Sequence, residues 1–345
     1  MNREQSQMMK GVAILLMIFL HLFNNMVNVE LCHNLIYIDG VPLAYVLSRA
    51  TNPVAFFLIL GGYGLYEVNL RGDKNRWGRL IKLMLHYWFI LIVFISIGHF
   101  MYPDIYPGSV LAIIENVSTY ETTYNAEMWF LLPYMILSSL APVIFKIINK
   151  FRALTIVVIT LLIHLTTSFL ISRYGTSFFF HNYWAYNPLL VFHLLFNFCL
   201  GAIAARTRFF ASIHTYIHTH TYIRRYVKII PWIGILILVY INCVFAYNFF
   251  YAFGIITCLV FAPMPKVIKN ILRGLGDNSM NMWMVHTWFC YYLFHNFIYS
   301  FKYPLLIFLI LVIISYVSSL IINRAILPIE RLLLTKKEIK EKPVL

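Results

Sequence analysis

The sequence predicts an all-α fold, a polytopic membrane bundle of about ten helices with both termini in the cytoplasm. Three observations predict it. Of the 345 residues, 61% are hydrophobic and only 12% are charged, about half the charged share of a soluble domain. The apolar residues gather into ten stretches, most close to the ~20 residues that cross a bilayer core. Basic residues crowd into every second connection between those stretches. The mean hydropathy of +0.75 is more than a soluble core of this size can hide. The net charge of +14, which in a soluble domain points to nucleic acid, is here a property of short loops.

In order, the apolar stretches run approximately 10–28, 45–67, 80–101, 128–147, 153–172, 187–205, 229–247, 249–263, 279–299 and 303–322. Arg3 and Lys10 ahead of the first stretch look like the basic region of a signal peptide. The chain continues as LFNNMVN after His21 without a small-residue cleavage site, so the stretch is read as a span. The seventh and eighth stretches are joined by a very short turn around Tyr247 and Asn248. Loop charge tests the count. One side holds Arg71, Lys74, Arg76, Arg79 and Lys82, then Lys146, Lys150 and Arg152, then Arg206, Arg208, Arg224, Arg225 and Lys228, then Lys266, Lys269 and Arg273. With the two termini that side takes all of the 27 Lys and Arg except Arg49, Arg173 and Lys302. The opposite side carries Glu30, Asp39, Asp104, Glu115, Glu121 and Glu127. The positive-inside rule sends both termini to the cytoplasm. Residues 1–332 read as a single membrane domain and 333–345 as a short basic cytoplasmic tail. The five cysteines are scattered, mostly within apolar stretches, and no pair has metal-ligand spacing, so neither a disulfide framework nor a metal site is expected.

Within this frame a few polar residues stand out. Lys10 and His21 are eleven residues apart. On a helix that is nearly three turns and a rise of ~16 Å, so both share one face. An ionisable group inside a bilayer is costly and marks a functional candidate. A span over 10–28 puts His21 near its middle, with Lys10 at one interface. A neutral imidazole is the form that accepts a proton; the structural alternative is a histidine satisfied by a neighbouring helix. Arg76 and Arg79 share a helix face at the cytoplasmic mouth of the third span. Arginine forks suit phosphate, and plain positive-inside charge explains them equally. Gly61, Gly62 and Gly64 read as close helix packing. Glu127 and Trp129 open the fourth span as loop charge and interfacial anchor, or as part of a site on the outer face. Ser279 is placed at a helix start, with His286 two turns in. His86, His164, His193 and His99 lie in or near spans as well, so histidine alone decides little. The tract His214, His218 and His220 sits in a basic loop with no carboxylate or Cys partner and is not read as a metal site. The aromatic loop 177–187, with Tyr183 and Trp184, reads as an interfacial belt.

Taken in order, these segments resemble the acyltransferase-3 family of membrane O-acyltransferases. Lys10 and His21 fit its basic residue, ten residues, then histidine. FFLILGGY at 56–63 is similar to its second-helix motif, and Arg76 and Arg79 to its Arg-x-x-Arg. Trp129 to Leu131 match its WFL, FNFCLGAIAA at 196–205 its Gly-containing sixth span, and Ser279, Trp283 and His286 its late Ser-xxx-Tyr-xx-His. Lys10 stands where the family more often has Arg, Gly61 where it has Ser, and Trp283 where it has Tyr. The resemblance implies transfer of an acyl group, acetyl by expectation, from cytoplasmic acetyl-CoA or another acyl-CoA to a hydroxyl of a cell-surface glycan or its lipid-linked precursor. No metal is implied. His21 would be the general base, Lys10, Arg76 and Arg79 the donor's phosphate partners, and Glu127, Trp129, Arg49, Ser279 and His286 candidate substrate contacts. The expected location is a bacterial cytoplasmic membrane. The competing class is a glycan or lipid transporter or flippase, with intramembrane His and Arg49 along its path. Against it stand the absence of internal pseudo-symmetry and of paired broken helices.

Overall fold

The computed structural model describes residues 1–72, 76–220, 225–245 and 249–334. The turn at Tyr247 and Asn248, the loop cations Lys74 and Arg224, and the basic tail from 335 onward lie outside the described residues. The chain is helical, with one two-stranded hairpin among the described residues. Seven helical stretches there are long and apolar enough to cross a membrane: Arg3–Phe23, Leu43–Leu70, Trp77–Met101, Ala126–Lys150, Ala153–Tyr174, Tyr183–Arg206 and Pro304–Leu333. Ile230–Val244 and Tyr251–Phe261 are shorter apolar helices where the seventh and eighth spans are expected.

The chain divides into two compact units. The first comprises Met1–Phe57 and Arg208–Asn323. It opens with α1 (Arg3–Phe23), whose start is fixed by a capping box between Asn2 and Gln5. The helix stops at Asn24, short of the expected 28. Asn25 caps the separate short helix α2 (Met26–Glu30) by accepting from the Val27 amide at 3.0 Å. His21 therefore occupies the last turn of α1 and not its middle. The hairpin β1 (Tyr37–Ile38) and β2 (Val41–Pro42) turns on Asp39-Gly40, both at positive φ, the conformation a two-residue hairpin loop requires. α3 (Leu43–Ser48) leads into α4 (Pro53–Leu70).

The second part of this unit brings α10 (Phe209–Thr219), the paired α11 (Ile230–Val244) and α12 (Tyr251–Phe261), and then α13 (Lys266–Thr287). The Asn242 amide donates to the Arg49 carbonyl at 2.9 Å and the Tyr251 hydroxyl to that of Ala50, pinning α11 and α12 to the end of α3. α13 begins at Lys266, thirteen residues before the expected start, so Ser279 is mid-helix. Asp, Asn and Ser ordinarily favour helix starts. Here burial overrides that preference. Ser279 donates to the Gly276 carbonyl at 2.9 Å, and Asn278 and Asn281 bond side chains of the last helix, α15 (Pro304–Leu333). A π-helical turn (Trp288–Tyr292) and α14 (His295–Tyr299) follow α13.

The second unit comprises Leu58–Thr207 and the chain from Arg324. It holds α5 (Arg76–Met101), α6 (Val110–Ser118), α7 (Leu131–Lys150), α8 (Ala153–Tyr174) and α9 (Tyr183–Arg206). α7 and α8 both pack on α9. The packing role of the second-helix glycines holds for Gly62, where a Cβ would run into the Phe198 carbonyl; a Cβ on Gly201 would meet that of Ile59. The loop that follows α5 is structured. Tyr87 and Trp88 of α5 donate to the carbonyls of Asn116 and Val117 at 2.8 and 2.9 Å, seating α6 on α5.

Candidate functional site

α1 and α13 pack against each other along an extended contact. Glycine makes it close. A Cβ on Gly11 would collide with the Leu272 carbonyl, and one on Gly276 with the Gln7 carbonyl and the Gly11 amide. Small residues at a crossing let backbones touch. From Gly11 to His21 is ten residues, and from Gly276 to His286 is ten residues. Two helices leaving one crossing side by side thus bring both histidines to the same height, ~15 Å further on.

There His21 Nδ1 lies 2.6 Å from His286 Nε2, with the rings stacked at 4.9 Å between centroids. The other nitrogen of His286 fixes the tautomers. His286 Nδ1 lies 2.8 Å from the Trp283 carbonyl and 3.1 Å from that of Met282. Carbonyl oxygens only accept, so His286 Nδ1 carries hydrogen and its Nε2 is the acceptor. His21 Nδ1–H donates to it. In the neutral pair the lone pair of His21 is thereby placed on Nε2. A base held by a second group, itself oriented by backbone, is the arrangement general-base chemistry uses. His286 is fully buried and His21 half-buried, so His21 is the member open to a substrate.

Lys10 lies on the same uninterrupted helix as His21, one residue before the glycine crossing. It is 5% exposed, packed among protein neighbours. The late motif joins the first in this unit: Ser279 and His286 share α13. Arg49 stands exposed at the end of α3 with its guanidinium 5.7 Å over the Tyr45 ring.

The remaining candidates belong to the second unit. Arg76 opens α5, and Arg79, 9% exposed, is buried in its first turn. Glu127 and Trp129 lie in a single 3-10 turn (Ala126–Phe130) that leads into α7. Trp129 is partly exposed and edge-on to Phe130 at 6.0 Å, as an interfacial anchor would be. In the loop ahead of this turn burial, followed by the neighbouring charge of Glu115, pushes the Glu121 carboxyl above its ordinary range.

The structure also explains the other intramembrane histidines. His86 Nε2 meets Glu330 Oε1 at 2.7 Å, and Lys82 Nζ meets Glu330 Oε2 at 3.0 Å, with His86 and Glu330 buried and the Lys82 side chain 11% exposed. His164 Nδ1 donates to the His193 carbonyl at 2.7 Å. Tyr291 and Tyr299 were not marked by the sequence; their hydroxyls donate to the carbonyls of His21 and Leu22. No pattern announces them, because a π turn shifts the helical register between His286 and Tyr291.

A helical, apolar chain with a histidine pair on two helices that cross at glycines fits a membrane enzyme, and the comparison with known families names its class. The family model Acyl_transf_3, an acyltransferase domain, matches residues 5–324. The chain belongs to the acyltransferase-3 family and is an integral membrane acyltransferase. No curated protein and no solved structure matches it.

Proposed function

We propose that the protein moves an acyl group, acetyl in the first instance, from a cytoplasmic acyl-CoA to a hydroxyl of a cell-surface glycan or lipid-linked glycan precursor, with His21 as general base. The observation that carries this reading is the His21–His286 hydrogen bond, which leaves the His21 lone pair on Nε2. The acceptor O–H gives its proton to His21 Nε2 as its oxygen attacks the thioester carbonyl carbon. The C–S bond then breaks, and the departing CoA sulfur takes that proton back, restoring the base. His286 holds the ring and accepts from the imidazolium through Nε2, so the charge formed on His21 is met by a fixed hydrogen-bond acceptor.

Lys10 supplies positive charge ~16 Å along α1 from His21, a distance comparable with an extended pantetheine arm. On this reading Lys10 meets a phosphate of the donor while the thioester reaches the base. Arg76 and Arg79 enter as donor-phosphate residues on the strength of their match to the family's Arg-x-x-Arg. Glu127, Trp129, Arg49 and Ser279 enter as substrate contacts on sequence position alone. The proposed location is the bacterial cytoplasmic membrane.

The test is purified full-length protein given acetyl-CoA and isolated cell-envelope glycan. CoA release is followed with a thiol reagent and the glycan by mass. Acetyl-dependent CoA release and an acetyl mass increment on the glycan, both lost in His21→Ala at unchanged protein level, are expected. Near-normal release by His21→Ala removes the mechanism. An unchanged glycan mass in cells lacking the protein favours a transporter.

A further inference from the structure

We propose that Tyr291 is a positioning residue that holds the base-bearing turn of α1 in its working geometry. The proposal deepens the reading of His21 as the base and rests on it. The last carbonyls of any α-helix lack intrahelical partners. In α1 the final helical bond runs from the Asn24 amide to the Leu20 carbonyl at 2.8 Å, and the helix ends there. The carbonyls of His21 and Leu22 are the next two in line. The Tyr291 hydroxyl donates to the first and the Tyr299 hydroxyl donates to the second, at 2.8 Å for Tyr299. Tyr291 also reaches Asn24 Oδ1 at 3.2 Å, and its ring stands edge-on to the His21 ring at 5.9 Å between centroids.

The source of these two tyrosines is the point. Both come from the chain directly after His286. Continuing α13 as an α-helix would return Cys290, one turn on from His286, to the α1 side. Instead the Leu293 amide bonds the Trp288 carbonyl at 2.9 Å, a wider π turn. The extra residue brings Tyr291 to α1 and leaves Cys290 buried. A π turn is rare inside a helix and occurs frequently at functional sites. Further along the same strand of chain, His295 Nε2 meets Asn28 Oδ1 at 3.2 Å. One segment thus holds both sides of the dyad: it continues from His286 and closes over the end of the helix that carries His21. Without the Tyr291 bond the last turn of α1 is free to fray, and the His21 ring loses its fixed approach to the thioester while its distance from Lys10 along the helix is little changed.

The test uses the full-length protein in detergent or nanodiscs, as wild type, Tyr291→Phe and Tyr299→Phe. Three quantities are measured: kcat and KM for acetyl-CoA, the thermal midpoint, and the rate at which diethyl pyrocarbonate modifies His21, read by peptide mass. Tyr291→Phe is expected to lower kcat about tenfold or more, since small displacements of a catalytic group cost that much. KM and the midpoint stay near wild type, and His21 is modified faster. Tyr299→Phe, which leaves the His21 carbonyl held, is the control for a purely structural loss. Unchanged kcat together with an unchanged modification rate overturns the proposal. So does a fall in kcat matched by an equal fall in the midpoint in both variants. The modification rate reads the clasp even if wild type releases no CoA, so failure of the acyl-transfer reading is told apart from failure of this one.

Discussion

His21 Nδ1 and His286 Nε2 are 2.6 Å apart, and the backbone carbonyls behind His286 make the direction of that bond one-way. Removing either ring should then have different consequences. His21→Ala takes away the base, and a loss of about 10²- to 10⁴-fold in kcat is expected. His286→Ala leaves the base but removes its orienting acceptor, with a smaller fall. His286→Gln restores an acceptor oxygen and should recover part of it. Steady-state CoA release at saturating donor measures all three. Equal activity of His286→Ala and wild type would sink the dyad.

Lys10 predicts a split between binding and chemistry. It shares a helix face with His21 but sits ~16 Å away along the axis, so it is too far to touch the reacting atoms. Lys10→Met should raise KM for acetyl-CoA about tenfold or more, the scale of one lost charge-assisted hydrogen bond. At saturation kcat should change little. Lys10→Arg, the residue the family more often carries here, should keep or improve KM. A fall in kcat with KM unchanged would move Lys10 from donor binding to a structural role.

Much of this was legible in the sequence because membrane helices announce themselves by length and hydropathy. The Lys-x10-His spacing and the late histidine were readable because they repeat a family order. What was not legible is the pairing. Nothing in the one-dimensional pattern says that Gly11 and Gly276 meet, or that ten residues beyond each stand two histidines in register. At Ser279 the local preference of Asn, Asp and Ser is for a helix start. The bonds from Asn278 and Asn281 to Ser319 and Asn323 of α15 outweigh that preference and exist only in the folded bundle. The early end of α1 was missed because apolar residues continue past Asn24 and Asn25, and hydropathy does not see a cap.

The glycine crossing can be tested apart from the chemistry. At Gly276 any side chain begins with a Cβ that overlaps the Gln7 carbonyl, a backbone atom that cannot swing aside. Gly276→Ala should cost about 1–3 kcal/mol, as overpacking of a tight core does. Gly276→Leu should push the helices apart and break the His21–His286 bond. Thermal midpoint and CoA release should therefore fall together, in the order Gly, Ala, Leu. A stable and fully active Gly276→Leu protein would show that the helices need not touch.

Glu330 gives a prediction remote from the dyad. Its carboxylate is shared between Lys82 Nζ at 3.0 Å and His86 Nε2 at 2.7 Å, and all three side chains are nearly dry. Taking one partner out of a buried ionic cluster is far more damaging than replacing the cluster as a whole, because the remaining charge keeps its desolvation cost. Glu330→Gln should lower stability by about 3–5 kcal/mol. Adding Lys82→Met, which removes the excess positive charge and keeps the apolar stem, should return part of that loss, with a coupling of about 0.5–3 kcal/mol between the sites. Thermal melts of the two singles and the double measure the coupling directly. If the double melts lower by the sum of the singles, the carboxylate and the ammonium do not act as a pair, and Glu330 ties α15 to α5 through His86 alone.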